Sequence, residues 1–311
     1  MNPNIVVVSI VIPTYKRHAL LTRAIESVHR QMDASTAIEI IVVDDASHED
    51  TGDLLRQAQP SVRCLTQVEN QGPGPARDRG IQAASGRWVI LLDDDDELMP
   101  DALTTILAAI DEYDCRSYPV VQFASSQTRQ FTGFKVFGID DYVCERFQGD
   151  FVPVIQRDVY LSAKLQYPQI RIGGEGVLWW EVANRYGIPT WDRPIITVGS
   201  DAPERLTNFD HQVSRAAEYA ELQEMFITRF GEELTRRRPE MLRKKRLGAA
   251  IYWLLAGCSD RAQPHIQSLR QSGSPWVASC IGLLKVFPNE VLKRAFLAFR
   301  KATVPRPSRA A

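Results

Sequence analysis

The sequence predicts an α/β chain with a Rossmann-like, mostly parallel sheet flanked by helices and a helical C-terminal extension. Three observations predict it. Over the first hundred residues, β-branched runs without polar alternation take turns with segments of helical apolar spacing. Several of those runs end in polar or acidic residues, which would gather on one edge of the sheet. From Gln212 onward the pattern is helical, and from Arg236 it is also basic. Residues 1–210 are therefore expected to form the main domain, in halves of about 1–110 and 111–210, with 211–311 as the extension.

The run Ile5 to Ile12 lacks alternation, as a strand buried on both faces should, and Pro13-Thr14-Tyr15 ends it. Leu20, Leu21, Ala24, Ile25 and Val28 follow at helical spacing. A second strand, Ile38 to Val43, runs into Asp44-Asp45-Ala46-Ser47, with helical spacing again near Leu54 and Leu55. A short third strand is expected at Val62 to Leu65, a helix at Arg77 to Ala84, and a fourth strand at Trp88 to Leu92. Beyond Tyr118, further strands are expected at Val120–Ala124, Lys135–Phe137, Phe151–Ile155 and Ile195–Val198. Val177 to Ala183 reads as a helix after Gly173-Gly174-Glu175-Gly176. Pro239, Pro264, Pro275 and Pro288 punctuate the C-terminal helices, and Pro305 to Ala311 reads as a frayed tail.

The fourth strand turns directly into four aspartates, Asp93 to Asp96. Like charges at the end of an apolar strand repel and lose hydration, so a cation or cation-bound phosphate is the arrangement that offsets them. Strand alternation would put Asp93 and Asp95 on one face and Asp94 and Asp96 on the other. Hard oxygen ligands at that spacing suit Mg²⁺ or Mn²⁺. An acidic turn ahead of a helix beginning near Pro100 is the plainer alternative.

With 311 residues and 44% hydrophobic content, the chain can bury a large core. The net charge of −1 hides a split: from Arg236 to the end, sixteen Lys and Arg face three acids, leaving about −14 on the first 235 residues. A basic tail of this kind suits an anionic membrane surface, and no nucleic-acid reader motif accompanies it. Phe296, Leu297 and Phe299 among Lys293, Arg294, Arg300 and Lys301 form its most membrane-like segment, and an ordinary solvated helix face is the alternative. Five dispersed cysteines without a C-x-x-C read as thiols of a reducing compartment. No signal peptide is evident, and Leu247 to Cys258 falls short of the roughly 20 residues of a spanning helix. The expected location is cytoplasmic, peripheral on the inner face of the membrane.

Four ordered stretches, V-S-I-V-I-P-T-Y (8–15), I-I-V-V-D-D-A-S (40–47), E-N-Q-G-P-G-P-A-R-D-R-G (69–80) and L-L-D-D-D-D-E-L-M-P (91–100), together resemble the family 2 glycosyltransferases. The resemblance is close over residues 5 to about 110, loose over 145–200 and slight beyond. It implies a GT-A fold and an inverting transfer of sugar from a nucleotide diphosphate, UDP foremost, to a glycan or lipid-linked acceptor. It implies that Pro13, Thr14, Tyr15, Asp45, Arg77 and Asp94 contact the nucleotide and that Asp93 and Asp95 hold a Mn²⁺ or Mg²⁺ ion. Asp96 would hold the loop or touch the donor sugar. An ionised Asp45 can accept from a base imide N–H, although a capping or turn role also suits it. Gly72 and Gly74 permit close backbone approach beside Arg77. Asp78 stands where the family pattern has Asn. The family's Glu-Asp pair, which supplies the base, reads Glu175-Gly176 here, so Glu175 is the candidate base and Asp150 the reserve. Arg205-Leu206-Thr207, with His211 nearby, is similar to the family's acceptor-side loop.

Two rival readings remain. A sugar-phosphate nucleotidylyltransferase would carry its glycine-rich loop directly after the first strand, where this chain has P-T-Y-K-R. A non-catalytic nucleotide-sugar or glycan-binding adaptor is suggested by Gly176 and opposed by the intact Asp93-x-Asp95.

Overall fold

The computed structural model describes residues 8–31, 37–47, 51–59, 61–128, 130–201 and 209–303. Two compact units divide the chain, Met1–Pro203 and Glu204–Ala311.

The first unit is built on one mixed sheet. Its opening elements are β1 (Val8–Thr14), α1 (His18–His29), β2 (Ile38–Asp44), α2 (Thr51–Ala58), β3 (Val62–Thr66), α3 (Pro73–Ala83) and β4 (Trp88–Leu91). β5 (Glu97–Leu98), α4 (Ala102–Glu112), β6 (Val120–Ser125), β7 (Phe134–Phe137) and α5 (Ile139–Val143) follow. β8 (Phe151–Gln156), α6 (Arg157–Ser162), α7 (Glu175–Arg185) and β9 (Ile188–Thr197) complete it. The strand order is β3-β2-β1-β4-β8-β6-β9-β5, with β7 beside β9.

β1 pairs in parallel with β2 and β4, and β2 with β3. Past β4 the sheet becomes mixed: β8 enters antiparallel to both β4 and β6, and β5 and β7 are antiparallel to β9. Only β6 and β9 restore a parallel pair.

Why the first strands lack alternation is visible in the core. Ile10, Ile12, Ile40, Val42, Trp88 and Ile90 enter one apolar cluster with Leu21, Ala24, Ile25 and Val28 of α1. Their neighbours Val11, Ile41, Val43, Val89 and Leu91 enter a second, with Ala76 and Ile81 of α3 and Leu178 and Val182 of α7. Each residue of the strand is thus apolar because each face has its own core.

The second unit is helical among its described residues: α8 (Phe209–Ser214), α9 (Ala216–Arg237), α10 (Pro239–Leu255), α11 (Ser259–Gln271), α12 (Pro275–Leu284) and α13 (Asn289–Thr303). Trp253, Leu254, Ile266, Leu269 and Ile281 form its core. Pro239 and Pro275 open α10 and α12 as expected, but Pro264 lies inside α11. It forfeits the bond to the Asp260 carbonyl, and the packing of Ala262, Ile266 and Leu269 carries the helix across the gap. Among the described residues, no helix is long and apolar enough to cross a membrane. The stretch Pro305 to Ala311, expected to be a frayed tail, lies outside the described residues.

Candidate active site

The sheet runs outward from β1 in both directions, to β2 on one side and β4 on the other. Such a switch point leaves a crevice beyond the carboxyl ends of the strands. Thr14 ends β1 at the same level as Asp44 of β2 and Thr66 of β3, and the aspartate run leaves β4 beside it. The buried Thr14 Oγ1 donates to Asp94 Oδ2 at 2.8 Å, so one side-chain bond closes the crevice floor.

The acidic run is a turn and not a continued strand, with Asp96 N–H donating to the Asp93 carbonyl at 3.1 Å. This corrects the expected alternation of faces. Asp93, Asp95 and Asp96 each bring a carboxylate oxygen within 4.8 Å of the others, while Asp94 turns away toward Thr14 and Arg17. A turn has no twofold period, so residues one apart can converge. Arg17 Nη1 lies 3.1 Å from Asp94 Oδ1 and 3.7 Å from Asp95 Oδ2. Burial pushes the Asp94 carboxyl up to about 6, against the Thr14 bond and the Arg17 charge, which act to lower it. Asp96 holds the loop, as one of its two expected roles required, by accepting from Gly199 N–H at 2.9 Å. Gly199 has no space for a side chain, because a Cβ would lie 2.0 Å from the Asp95 carbonyl oxygen.

Arg77 projects from α3, with Nη2 2.5 Å from Asp93 Oδ1 and its guanidinium 5.6 Å from the centre of the Tyr167 ring. Burial opposes its charge, but the carboxylates of Asp93 and Glu175 are among the groups that hold it firmly protonated. Pro13 is buried within β1, and Tyr15 is exposed with Lys16 Nζ 5.0 Å from its ring centre.

Asp45 is placed differently from a simple base acceptor. Its buried carboxylate accepts from Gln67 Nε2 (2.6 Å), Gln71 N–H (2.8 Å) and Gly72 N–H (2.8 Å). Three of roughly four acceptor positions are thereby filled, so this residue first shapes the loop that leads into α3. Burial raises its carboxyl above the ordinary range in spite of those bonds. Gly72 sits at φ +93°, where a Cβ would lie 2.5 Å from Arg171 Cα, so the loop admits only glycine there.

Glu175 is exposed at the first position of α7, behind a left-handed Gly174, and its charge reaches Arg77 and Tyr167. Asp150 precedes β8 and is exposed as a residue, while its carboxyl is pushed up by lost hydration and then by the Asp93 charge. Asp150 thus feels the charge of Asp93, and Arg77 that of Glu175. Arg205-Leu206-Thr207 lies outside the described residues, and His211 lies on α8 of the second unit.

Sequence reasoning missed Arg17, Gln67 and Tyr167. Arg17 carried a usable signal, a cation three residues past a polar strand end. Gln67 and Tyr167 carried none, because only the tertiary fold brings them to Asp45 and Arg77.

Asp78, the departure from the family pattern, accepts from Tyr167 N–H (2.9 Å), Gln169 Nε2 (3.3 Å) and Tyr160 OH (3.4 Å). Its carboxyl is pushed up to about 7 by burial, which outweighs those bonds. A raised carboxyl means that the folded chain binds the extra proton, so stability falls as pH rises from the unfolded value near 4 through about 7. Asp78→Asn keeps the acceptor toward Tyr167 and Gln169 and removes that cost. Thermal melts are expected to coincide at pH 4 and to favour the variant by about 2 kcal/mol at pH 8.

The sequence profile described as "Glycosyl transferase family 2" matches residues 9–146. Over these residues the chain is therefore similar to the family 2 glycosyltransferases. Among curated proteins, the chain is 29% identical over 182 residues to the GalNAc(5)-diNAcBac-PP-undecaprenol beta-1,3-glucosyltransferase of Campylobacter jejuni, covering 55% of this chain and 58% of that one. The chain spans less than two thirds of that relative's length and about a third of the length of the next two. Among solved structures, S. aureus TarS 1-349 in complex with UDP-GlcNAc aligns over 96% of this chain and 93% of its own, with a TM-score of 0.57 and 14% identity. The mannosyltransferase PcManGT of Pyrobaculum calidifontis, in complex with GDP-Man and Mn²⁺, aligns over 94% of this chain and 84% of its own, with a TM-score of 0.54 and 16% identity. At these identities the two structures speak for the fold, which is GT-A.

Proposed function

We propose that this family 2 protein transfers a sugar from a nucleoside diphosphate, a UDP-sugar foremost, to a glycan or lipid-linked acceptor in surface polysaccharide synthesis, inverting the anomeric carbon. The observation that carries the reading is the switch-point crevice closed by the Thr14–Asp94 bond, with Asp93, Asp95 and Asp96 converging beside it. UDP-GlcNAc and GDP-Man in the two structural neighbours, and the undecaprenol-linked acceptor in the Campylobacter enzyme's name, agree with it. A lipid-linked acceptor would bring the chain to the cytoplasmic face of a membrane.

The acidic turn fits a divalent cation. All three groups offer hard oxygens at mutual distances suited to one ion, and Asp93 is open enough to exchange a ligand. Asp93 and Asp95 would hold Mn²⁺ or Mg²⁺, with Asp96 as a third oxygen. When bound, the ion neutralises the diphosphate and stabilises it as the leaving group. The chain's own groups do the rest. Pro13, Thr14 and Tyr15 would border the base and ribose, and Asp45 fixes the loop against which the base rests. Arg77 would stand beside the diphosphate, released from part of its hold on Asp93 as the ion binds. Glu175 would accept the proton of the acceptor hydroxyl as its oxygen attacks C1 and the nucleoside diphosphate departs.

Titration calorimetry of UDP, GDP, dTDP and CDP, with and without Mn²⁺, tests the reading. One nucleotide is expected to bind in a metal-dependent way, at least tenfold tighter than the others. Folded protein that binds none of them would point to the adaptor reading, which Gly176 in place of the second acid motivates.

A further inference from the structure

We infer that the outward face of α12 and α13 is a membrane-docking surface that takes an anionic lipid bilayer. Half of the fourteen large apolar residues exposed among the described ones fall between positions 276 and 299, so the exposure is concentrated and not scattered. On α12, Trp276, Cys280 and Leu283 follow one another at four- and three-residue steps and form a single stripe. Ala278 and Ile281, which are buried, point about half a turn away. Trp276 is 79% exposed and Leu283 65%, and the stripe continues past the helix end into Val286 (76%) and Phe287. On α13 the outward residues are Val291, Arg294, Ala295, Ala298 and Phe299, which again make an apolar strip with a cation at its margin.

The charge selects the occupant. Residues from Arg236 onward carry a surplus of thirteen positive charges in a chain whose total is −1, and the exposed Arg294 stands at the margin of the α13 strip. Exposed apolar side chains on a strongly basic segment, with a tryptophan among them, match a lipid surface with negative headgroups better than they match another copy of an equally basic segment. The structure also redraws the segment that spacing alone suggested. Phe296 packs toward Tyr252 with ring centres 6.1 Å apart, and Arg300 lies 4.4 Å over the Phe209 ring, so both belong to the inner face. The docking elements are Trp276, Leu283 and Phe299. This goes beyond the transfer reading and stands without it, because lipid binding needs no nucleotide.

The test uses the full chain with vesicles of phosphatidylcholine alone or mixed in equal parts with phosphatidylglycerol. The chain is expected to sediment with the mixed vesicles, and Trp276→Ser/Leu283→Gln/Phe299→Ser to bind at least tenfold more weakly. These side chains are exposed, so the variant should keep the far-ultraviolet spectrum and melting temperature of the parent. The other five tryptophans are buried, so a blue shift of emission on binding reports Trp276 alone and should vanish in Trp276→Phe. Wild-type protein that ignores both vesicles, a triple variant that binds equally well, or binding without a blue shift would each overturn the proposal. So would a dimer, seen by light scattering, that the triple variant dissolves without any change in lipid binding.

Discussion

Asp95→Ala is expected to lower kcat/KM for sugar transfer by about a thousandfold or more, while the protein stays folded. The size follows from the proposed ion: charge stabilisation of a leaving diphosphate is worth several kcal/mol, and each 1.4 kcal/mol or so is a factor of ten. The selectivity follows from the turn. The backbone around Asp95 is held by groups that the substitution spares, namely the Asp96 N–H to the Asp93 carbonyl, Arg23 Nη2 to the Asp95 carbonyl at 3.1 Å, and Gly199 against the same oxygen. Removing one of four crowded carboxylates relieves repulsion, so the melting temperature should hold or rise. Nucleotide affinity should lose its dependence on Mn²⁺ in parallel. Activity within tenfold of the parent, at equal metal, would remove Asp95 from the ligand set.

The second large effect separates the two candidate bases. Glu175→Gln is expected to reduce kcat by about a hundredfold to a thousandfold with the donor KM little changed, as removal of a general base should. Asp150→Asn is expected to cost less than tenfold. The reasoning rests on position: Glu175 stands exposed at the first position of α7, open to an incoming acceptor. Asp150 instead has its carboxyl pushed up by lost hydration and then by the charge of Asp93, which favours its protonated form. Single-turnover measurements on both variants decide the matter, and the reverse order of effects would hand the role to Asp150.

The donor half of the fold was legible because its strands are extreme. Runs such as Ile10-Val11-Ile12 and Ile40 to Val43 are apolar at every position, and only a strand buried on both faces requires that. What sequence periodicity could not supply was the point where the period stops. Extending the β4 alternation through Asp93–Asp96 put Asp93 and Asp95 together, as they are in the turn, but sent Asp96 to the other face, because the Asp96–Asp93 backbone bond makes a turn there. Asp45 shows a second limit. Its carboxylate could be recognised as an acceptor, but its donors at Gln67, Gln71 and Gly72 lie more than twenty residues away and are brought in by the β2–β3 pairing. The same holds for the α12 stripe, which turns outward only because Ala278 and Ile281 occupy the inner side.

The alternation of β1 between two cores bears on how this chain can change over generations. Substitution within the strand is graded, because Ile10 or Val11 can shrink or grow by a methyl group at modest cost. Insertion or deletion is not. Losing one residue would exchange the faces of every side chain behind it, press Ile12 into the space of Val11, and draw the Thr14 hydroxyl about one residue step away from Asp94. Divergence in length is therefore channelled away from β1 and into connections that no such two-sided register governs.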